Sequence, residues 1–156
     1  MMIEIHKGRI FAFVQFVLIL IVVISTYLEN LFLHNNPLAI VRFISIILIV
    51  CGLLILILAL LSYRQRVTPN PVPLEHAQLR TEGIYSIIRH PMYTFALLFA
   101  IGYTLFFHAY YSVLLNIIVI IFLIYKIRFE ERQLIKKFPQ YIDYQKHTNK
   151  LIPYLY

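Results

Sequence analysis

The sequence predicts an all-α membrane protein of about four transmembrane helices, the last two forming a tight hairpin, with a helical C-terminal extension on the cytoplasmic side. Three observations predict it. The 156 residues are 61% hydrophobic and only 13% charged, against about 45–50% and about 25% in a soluble domain. The apolar residues fall in long runs, and the mean hydropathy is +0.79. Nearly all the basic residues lie between or beyond those runs so that they would share one side of a bilayer.

The first run, Ile10–Leu28, holds 19 residues with no charge. At about 1.5 Å per residue it matches a hydrocarbon core of about 30 Å. It follows the basic Lys7 and Arg9, as a signal peptide would, but Tyr27-Leu28-Glu29-Asn30 offers no small-residue cleavage site, so we read it as a retained helix. The second run, Leu38–Ser62, carries one charge, Arg42, near its start, where the side chain can snorkel to the interface. Gln15 is a further polar exception in two anchors that hold almost no large polar side chains. The third and fourth runs, Met92–Phe107 and about Tyr110–Tyr125, are shorter and turn at His108–Ala109. Tyr103, Tyr110, Tyr111 and Tyr125 can extend them into the interfaces. The chain then divides into two anchors (1–62), a cytoplasmic loop (63–91), the hairpin (92–125) and a cytoplasmic tail (126–156), all in one domain.

With four crossings, 13 of the 14 Lys and Arg residues share one side, and Glu29 and Arg42 occupy the other. The positive-inside rule then puts both termini in the cytoplasm. The net charge of +7 becomes a face against anionic lipid, not a nucleic-acid surface. The compact size favours a prokaryotic inner membrane. The single cysteine, Cys51, lies in an apolar run, which excludes a disulfide framework. The histidines outside the loop motif, His6, His34, His76, His108 and His147, lack zinc-site spacing. There is no P-loop, no G-x-G-x-x-G and no G-x-S-x-G elbow. The bilayer segments are almost bare of the midplane polar groups that transporters use.

Polar chemistry concentrates in two stretches. In the loop, Pro69, Pro71 and Pro73 keep the chain extended. Gly83 marks a turn, and Arg89-His90-Pro91 leads directly into the third run. Pro91 suits the first turn of a helix, where its missing N–H costs nothing. Arg89 and His90 would then sit at a helix N-terminus, whose free N–H groups favour an anion; a plain lipid contact by Arg89 and a plain cap by His90 fit equally. In the tail, the fourth helix should continue past Lys126 with Phe129, Leu134 and Phe138 on one flank. Pro139 ends it, and Tyr141 and Tyr144 share a face beyond. Glu130-Glu131 lies where that helix leaves the bilayer. The plainer alternative pairs these glutamates with Lys126, Arg128 or Lys137 on the helix surface.

The two stretches, in this order and on either side of a membrane hairpin, resemble the isoprenylcysteine carboxyl methyltransferase and phospholipid methyltransferase superfamily of small integral-membrane enzymes. The matching residues are Thr68-Pro69-Asn70-Pro71, Gly83-Ile84-Tyr85 and Arg89-His90-Pro91-Met92-Tyr93, then Glu130-Glu131, Leu134, Phe138-Pro139, Tyr141, Tyr144 and Ile152-Pro153. They span about residues 66–154, and residues 1–62 carry no family motif. Three positions depart from the pattern: Ile84 replaces a proline, Phe95 stands where a glycine often follows, and Pro139 replaces a glycine.

The resemblance implies an S-adenosylmethionine cofactor and a lipophilic acceptor reached through the bilayer. It implies that Gly83, Tyr85, His90, Pro91 and Tyr93 shape the cofactor pocket, that Glu130 and Glu131 face the cofactor's positive charge or ribose, and that Tyr141 and Tyr144 close over the adenine. Arg89 and Glu131 are the candidate catalytic pair, Arg89 orienting a carboxylate of the acceptor or cofactor. The histidine spacing gives no reason to expect a metal. Carboxyl methylation of an isoprenylcysteine-like substrate is the first expectation; phospholipid N-methylation and a non-catalytic scaffold of the same fold are the alternatives. Phe95 would narrow the pocket. No apolar segment carries a G-x-x-x-G association motif, and the oligomeric state stays open.

Overall fold

A computed structural model describes residues 2–33, 37–62, 72 and 78–153; the Thr68–Pro71 motif, His34 and His76 lie outside the described residues. The described residues form helices α1 (Met2–Leu33), α2 (Ala39–Ser62), α3 (Pro91–Phe106), α4 (Tyr110–Lys137) and α5 (Tyr141–Lys146), with a 3-10 turn at Gly83–Ser86. Helix is the form these apolar sequences must take, because in hydrocarbon every backbone group has to be satisfied within the segment. Three of them, α1, α2 and α4, are long and apolar enough to cross a membrane, and α3 is a shorter apolar helix of 16 residues. At about 1.5 Å per residue α3 spans about 24 Å, less than a bilayer core of about 30 Å.

One helix runs past the boundary expected for it, and another continues as expected. The charge-free window ends at Ile10, but α1 starts eight residues earlier, at Met2. The fourth apolar run ends near Tyr125, but α4 continues to Lys137, as the tail periodicity predicts. The extra turns pair with each other: Gln133 Nε2 donates to Glu4 Oε2 at 3.2 Å, and the Phe11 ring lies 4.9 Å from Phe129. At the far end, Ser25 and Ser112 hydroxyls meet at 2.9 Å. So α1 and α4 run antiparallel along their whole length.

The α3–α4 turn falls where expected. His108 takes a left-handed φ of 53°, and the Ala109 N–H returns to the Thr104 carbonyl at 3.0 Å. Glu29 of α1 closes the start of α4: its carboxylate accepts from the N–H groups of Tyr111 and Ser112 at 3.1 and 3.0 Å and from the Ser112 hydroxyl at 3.0 Å. An anion at a helix N-terminus is favoured by the unpaired N–H groups there. At the other end Pro139 has no N–H to continue the ladder, and the Phe138 N–H makes the last bond, to the Leu134 carbonyl at 2.7 Å.

Helix α2 packs along α3 through glycine. A Cβ on Gly102 would sit 2.8 Å from Ile49 Cγ1 and 3.0 Å from the Ser45 carbonyl oxygen, so no other residue permits this approach. Phe95 belongs to the same interface: its ring lies beside Gly52 of α2 and against Phe99. It lies in the α2–α3 seam. The core is Val22, Leu97, Ala100, Val119, Leu123 and Ile127, closed at the loop end by Leu151. Many large apolar side chains on α1, α2 and α4 remain exposed, Phe13, Phe16, Phe43, Leu61 and Ile121 among them. Surface of that kind is expected where lipid is the solvent.

Candidate active site

The helix pairing brings the last turns of α2, the start of α3 and the protruding turns of α1 and α4 to one end of the bundle. The two polar stretches meet there, although about 40 residues separate them. The junction is a short parallel pairing of Ile88 with Asn149. The Arg89 N–H donates to the Asn149 carbonyl at 2.8 Å, the His90 N–H to the Lys150 carbonyl at 3.1 Å, and the Asn149 N–H to the Ile87 carbonyl at 3.0 Å. Thr94 Oγ1 adds a bond to the Leu151 carbonyl at 2.8 Å. The tail is thus laced to the chain that opens α3. Pro91 is the first residue of α3 and is buried, as expected. His90 is the N-cap by position but makes no side-chain capping bond, so capping does not account for it.

Glu131 lies at the centre, 6% exposed. Its Oε1 accepts from Arg89 Nε at 2.9 Å and lies 3.5 Å from the Tyr141 hydroxyl and 3.5 Å from His90 Nε2. Its Oε2 lies 3.8 Å from Lys150 Nζ. Glu130 lies beside it on α4. Its Oε2 accepts the Tyr93 hydroxyl at 2.7 Å and lies 3.7 Å from His90 Nδ1. The glutamates therefore meet Arg89, His90 and Tyr93 at the start of α3 and Tyr141 and Lys150 of the tail. Among the described residues, buried His90 Nε2 has no hydrogen-bond partner and stands 3.5 Å from Glu131 Oε1.

Arg89 is 9% exposed and is held on several sides. Besides Glu131 it donates through Nη1 to the Gln145 carbonyl at 3.1 Å, to Thr148 Oγ1 at 3.2 Å, and to the Thr148 carbonyl. It ties α4 to the tail. Removing one partner of such a buried pair leaves an uncompensated charge, typically at a cost of about 3–5 kcal/mol.

The tyrosines form the remaining wall. Tyr141 is 2% exposed, and its ring meets Tyr144 edge-on at 5.4 Å. The Tyr144 hydroxyl donates to the Tyr85 carbonyl, tying α5 to the 3-10 turn. Burial raises the Tyr141 phenol far above its ordinary range, with Glu131 adding to the effect and Arg89 opposing it. Burial likewise raises Tyr144 against a smaller opposing effect of Arg89. Gly83 supplies the turn itself, with φ of 61°, and a Cβ there would collide with the Ser62 side chain of α2. Ile84 lies within the turn, and its carbonyl receives the Ile87 and Ile88 N–H groups. A cavity of about 430 Å³ opens against Glu131, lined also by Tyr125, Arg128, Arg132, Ile135 and Gln145.

Of the residues singled out in the sequence, Arg89, His90, Tyr93, Glu130, Glu131 and Tyr141 converge in one network. Tyr85, Pro91 and Tyr144 border it, and Gly83 shapes the turn below. Thr94, Thr148, Lys150 and Lys126 were missed. The available signal was Lys126, the first charge at the end of an apolar helical run.

The phospholipid methyltransferase family model matches residues 40–141. That is about two thirds of the chain, and it takes in α2, the loop motif, α3, α4 and Tyr141. The chain belongs to this family, and with it to the membrane methyltransferases. No curated protein matches the chain.

Proposed function

We propose that this chain transfers a methyl group from S-adenosylmethionine to a lipophilic acceptor at the cytoplasmic edge of the membrane, and that the accepting group is a lipid amine. The observation that carries this reading is the meeting of Glu130 and Glu131 with His90, Tyr93 and Tyr141 at the level where α3 begins and α4 leaves the apolar bundle. These residues fit a cationic, hydrogen-bonding cofactor: two carboxylates face one another's partners, a buried ring nitrogen of His90 lacks a hydrogen bond, and two tyrosine rings wall the side. The cofactor, when bound, supplies a methyl group already activated on a sulfonium. The protein's task is then alignment and exclusion of water.

Glu130 and Glu131 would hold the cofactor's positive end, and His90 a polar group beside it. Gly83, Tyr85, Pro91 and Tyr93 shape the floor, while Tyr141 and Tyr144 close the side. Arg89 acts as a positioning residue, fixing Glu131 and the tail together. A lipid ammonium must lose a proton before its nitrogen can act as nucleophile, and Glu130 Oε2, the less enclosed of the two carboxylates, is the group to take it. Carboxyl methylation of an isoprenylcysteine-like acid is the second reading, favoured by the Arg89–Tyr93 motif. It would require Arg89 to leave Glu131 and Thr148 in order to orient the acid. The basic residues gathered at the site end, Lys7, Arg9, Arg128, Arg132, Lys136, Lys137, Lys146 and Lys150, support a cytoplasmic position for it.

Calorimetric titration of the protein in lipid discs with S-adenosylmethionine tests the cofactor assignment. The parent should bind, and Glu130→Gln, which leaves the Arg89 clamp intact, should weaken binding about ten- to a hundredfold, the weight of a hydrogen bond to a charged group. No binding by the parent would remove the methyltransferase reading, and parent-like affinity in the variant would remove Glu130 from the site.

A further inference from the structure

Lys126 is a buried cation that the proposed chemistry does not use. It lies in α4 one helical turn before Glu130, with 1% of its surface exposed. Its Nζ donates to Gln15 Oε1 of α1 and stands 4.8 Å from the centre of the Tyr93 ring. The Tyr93 ring in turn stacks on His90 at 5.5 Å and 9°, and its hydroxyl donates to Glu130. A continuous chain of contacts, Gln15 to Lys126 to Tyr93 to Glu130, thus runs from α1 into the site.

Burying an ammonium in an apolar bundle is costly. A neutral amide, a ring face and the attraction of Glu130 one turn on offset only part of that cost, the ring face by about 2 kcal/mol when desolvated. Space alone would be filled better by methionine or leucine. The cation therefore calls for a task, and its geometry offers one. An ammonium on the ring face fixes the ring's position and draws charge from it, which strengthens the phenol as a donor to Glu130.

We propose that Lys126, held in place by Gln15, is a positioning residue that fixes the Tyr93 ring and, through its hydroxyl, the Glu130 carboxylate. Gln15 lies in α1, outside the matched residues 40–141, so α1 supplies part of the site and is more than an anchor. The link to turnover rests on the methyltransferase reading; the link to Tyr93 does not.

The experiment compares the parent, Lys126→Met, Gln15→Met, the double variant and Lys126→Arg, each in lipid discs. The first readout is the ring-carbon resonance of 13C-tyrosine at Tyr93, assigned with Tyr93→Phe and recorded without cofactor. The second is methyl transfer from S-adenosylmethionine to total lipid. The resonance should move in Lys126→Met and in Gln15→Met and return toward the parent position in Lys126→Arg. The kcat should fall about ten- to a hundredfold, the effect of a small misplacement of reacting groups, while KM for the lipid holds. The double variant should lose no more than Lys126→Met alone, because the two residues act in series. The melting temperature of Lys126→Met should not fall. A Tyr93 resonance that stays in place, a kcat within about twofold of the parent, additive losses, or losses that follow a lowered melting temperature would each overturn the proposal. A parent that transfers no methyl group would overturn the methyltransferase reading instead, and the Tyr93 resonance would then decide the role of Lys126 alone.

Discussion

At the scale of single residues, the end of the bundle is organised by Arg89. Its guanidinium holds Glu131 of α4 and the backbone of the tail at once, so Arg89→Met should release both. We expect a stability loss of about 3–5 kcal/mol in thermal or denaturant unfolding, with faster amide exchange at residues 87–90 and 149–150. Unchanged exchange there would show that the lacing does not depend on Arg89. The buried tyrosines make a pH prediction. Tyr141 and Tyr144 hold their protons above the ordinary tyrosine range when folded, whereas an unfolded tyrosine ionises near pH 10. The unfolded state then binds fewer protons above that pH, so stability is fully present below about pH 10 and falls as pH rises beyond it. Melting temperatures from pH 8 to 11 should show this fall, and Tyr141→Phe should make it shallower.

At the scale of elements, the four apolar helices were legible because apolar runs of this length leave the backbone no alternative to helix, and the short α5 from Pro139 and the shared face of Tyr141 and Tyr144. The hairpin turn at His108–Ala109 and the break at Pro139 followed from local chemistry in the same way. The start of α1 at Met2 did not, because its first two turns carry Glu4, Lys7 and Arg9 and read as a flank; they are helical because they pair with the protruding end of α4. The lacing of Thr148–Leu151 onto Ile87–Thr94 was likewise hidden. It rests on backbone bonds between distant segments and leaves no periodicity in either. For the same reason the sequence named Arg89 and Glu131 separately, without their contact. Glu29 is a further case: it stood out only as a lone acid, yet it joins α1 to the start of α4. Glu29→Ala should cost about 1–3 kcal/mol through the donors left unpaired, measured by thermal unfolding. The kcat should hold, since Glu29 lies at the end of the bundle away from the site.

At the scale of the whole molecule, the charge and the polar chemistry share one end, and the flanks are apolar. This asymmetry is that of a chain embedded in a bilayer with one active boundary. It predicts the accessibility of thiols in sealed vesicles. Cys51, on the apolar surface of α2, should resist a membrane-impermeant maleimide from either side. A cysteine introduced by Lys146→Cys at the exposed tail should react from the cytoplasmic side alone. Reaction from the opposite side would reverse the orientation proposed for the site.

The central claim is methyl transfer to a lipid amine at this boundary. Its most direct measurement supplies the purified protein in lipid with S-adenosylmethionine carrying a labelled methyl group, in the presence of total lipid extract and a prenylcysteine analogue. The products are then treated with base. The account predicts label that stays on a lipid amine after this treatment. Label released as methanol would mean an ester and carboxyl methylation, which contradicts the amine assignment and returns Arg89 to a role in holding the acceptor.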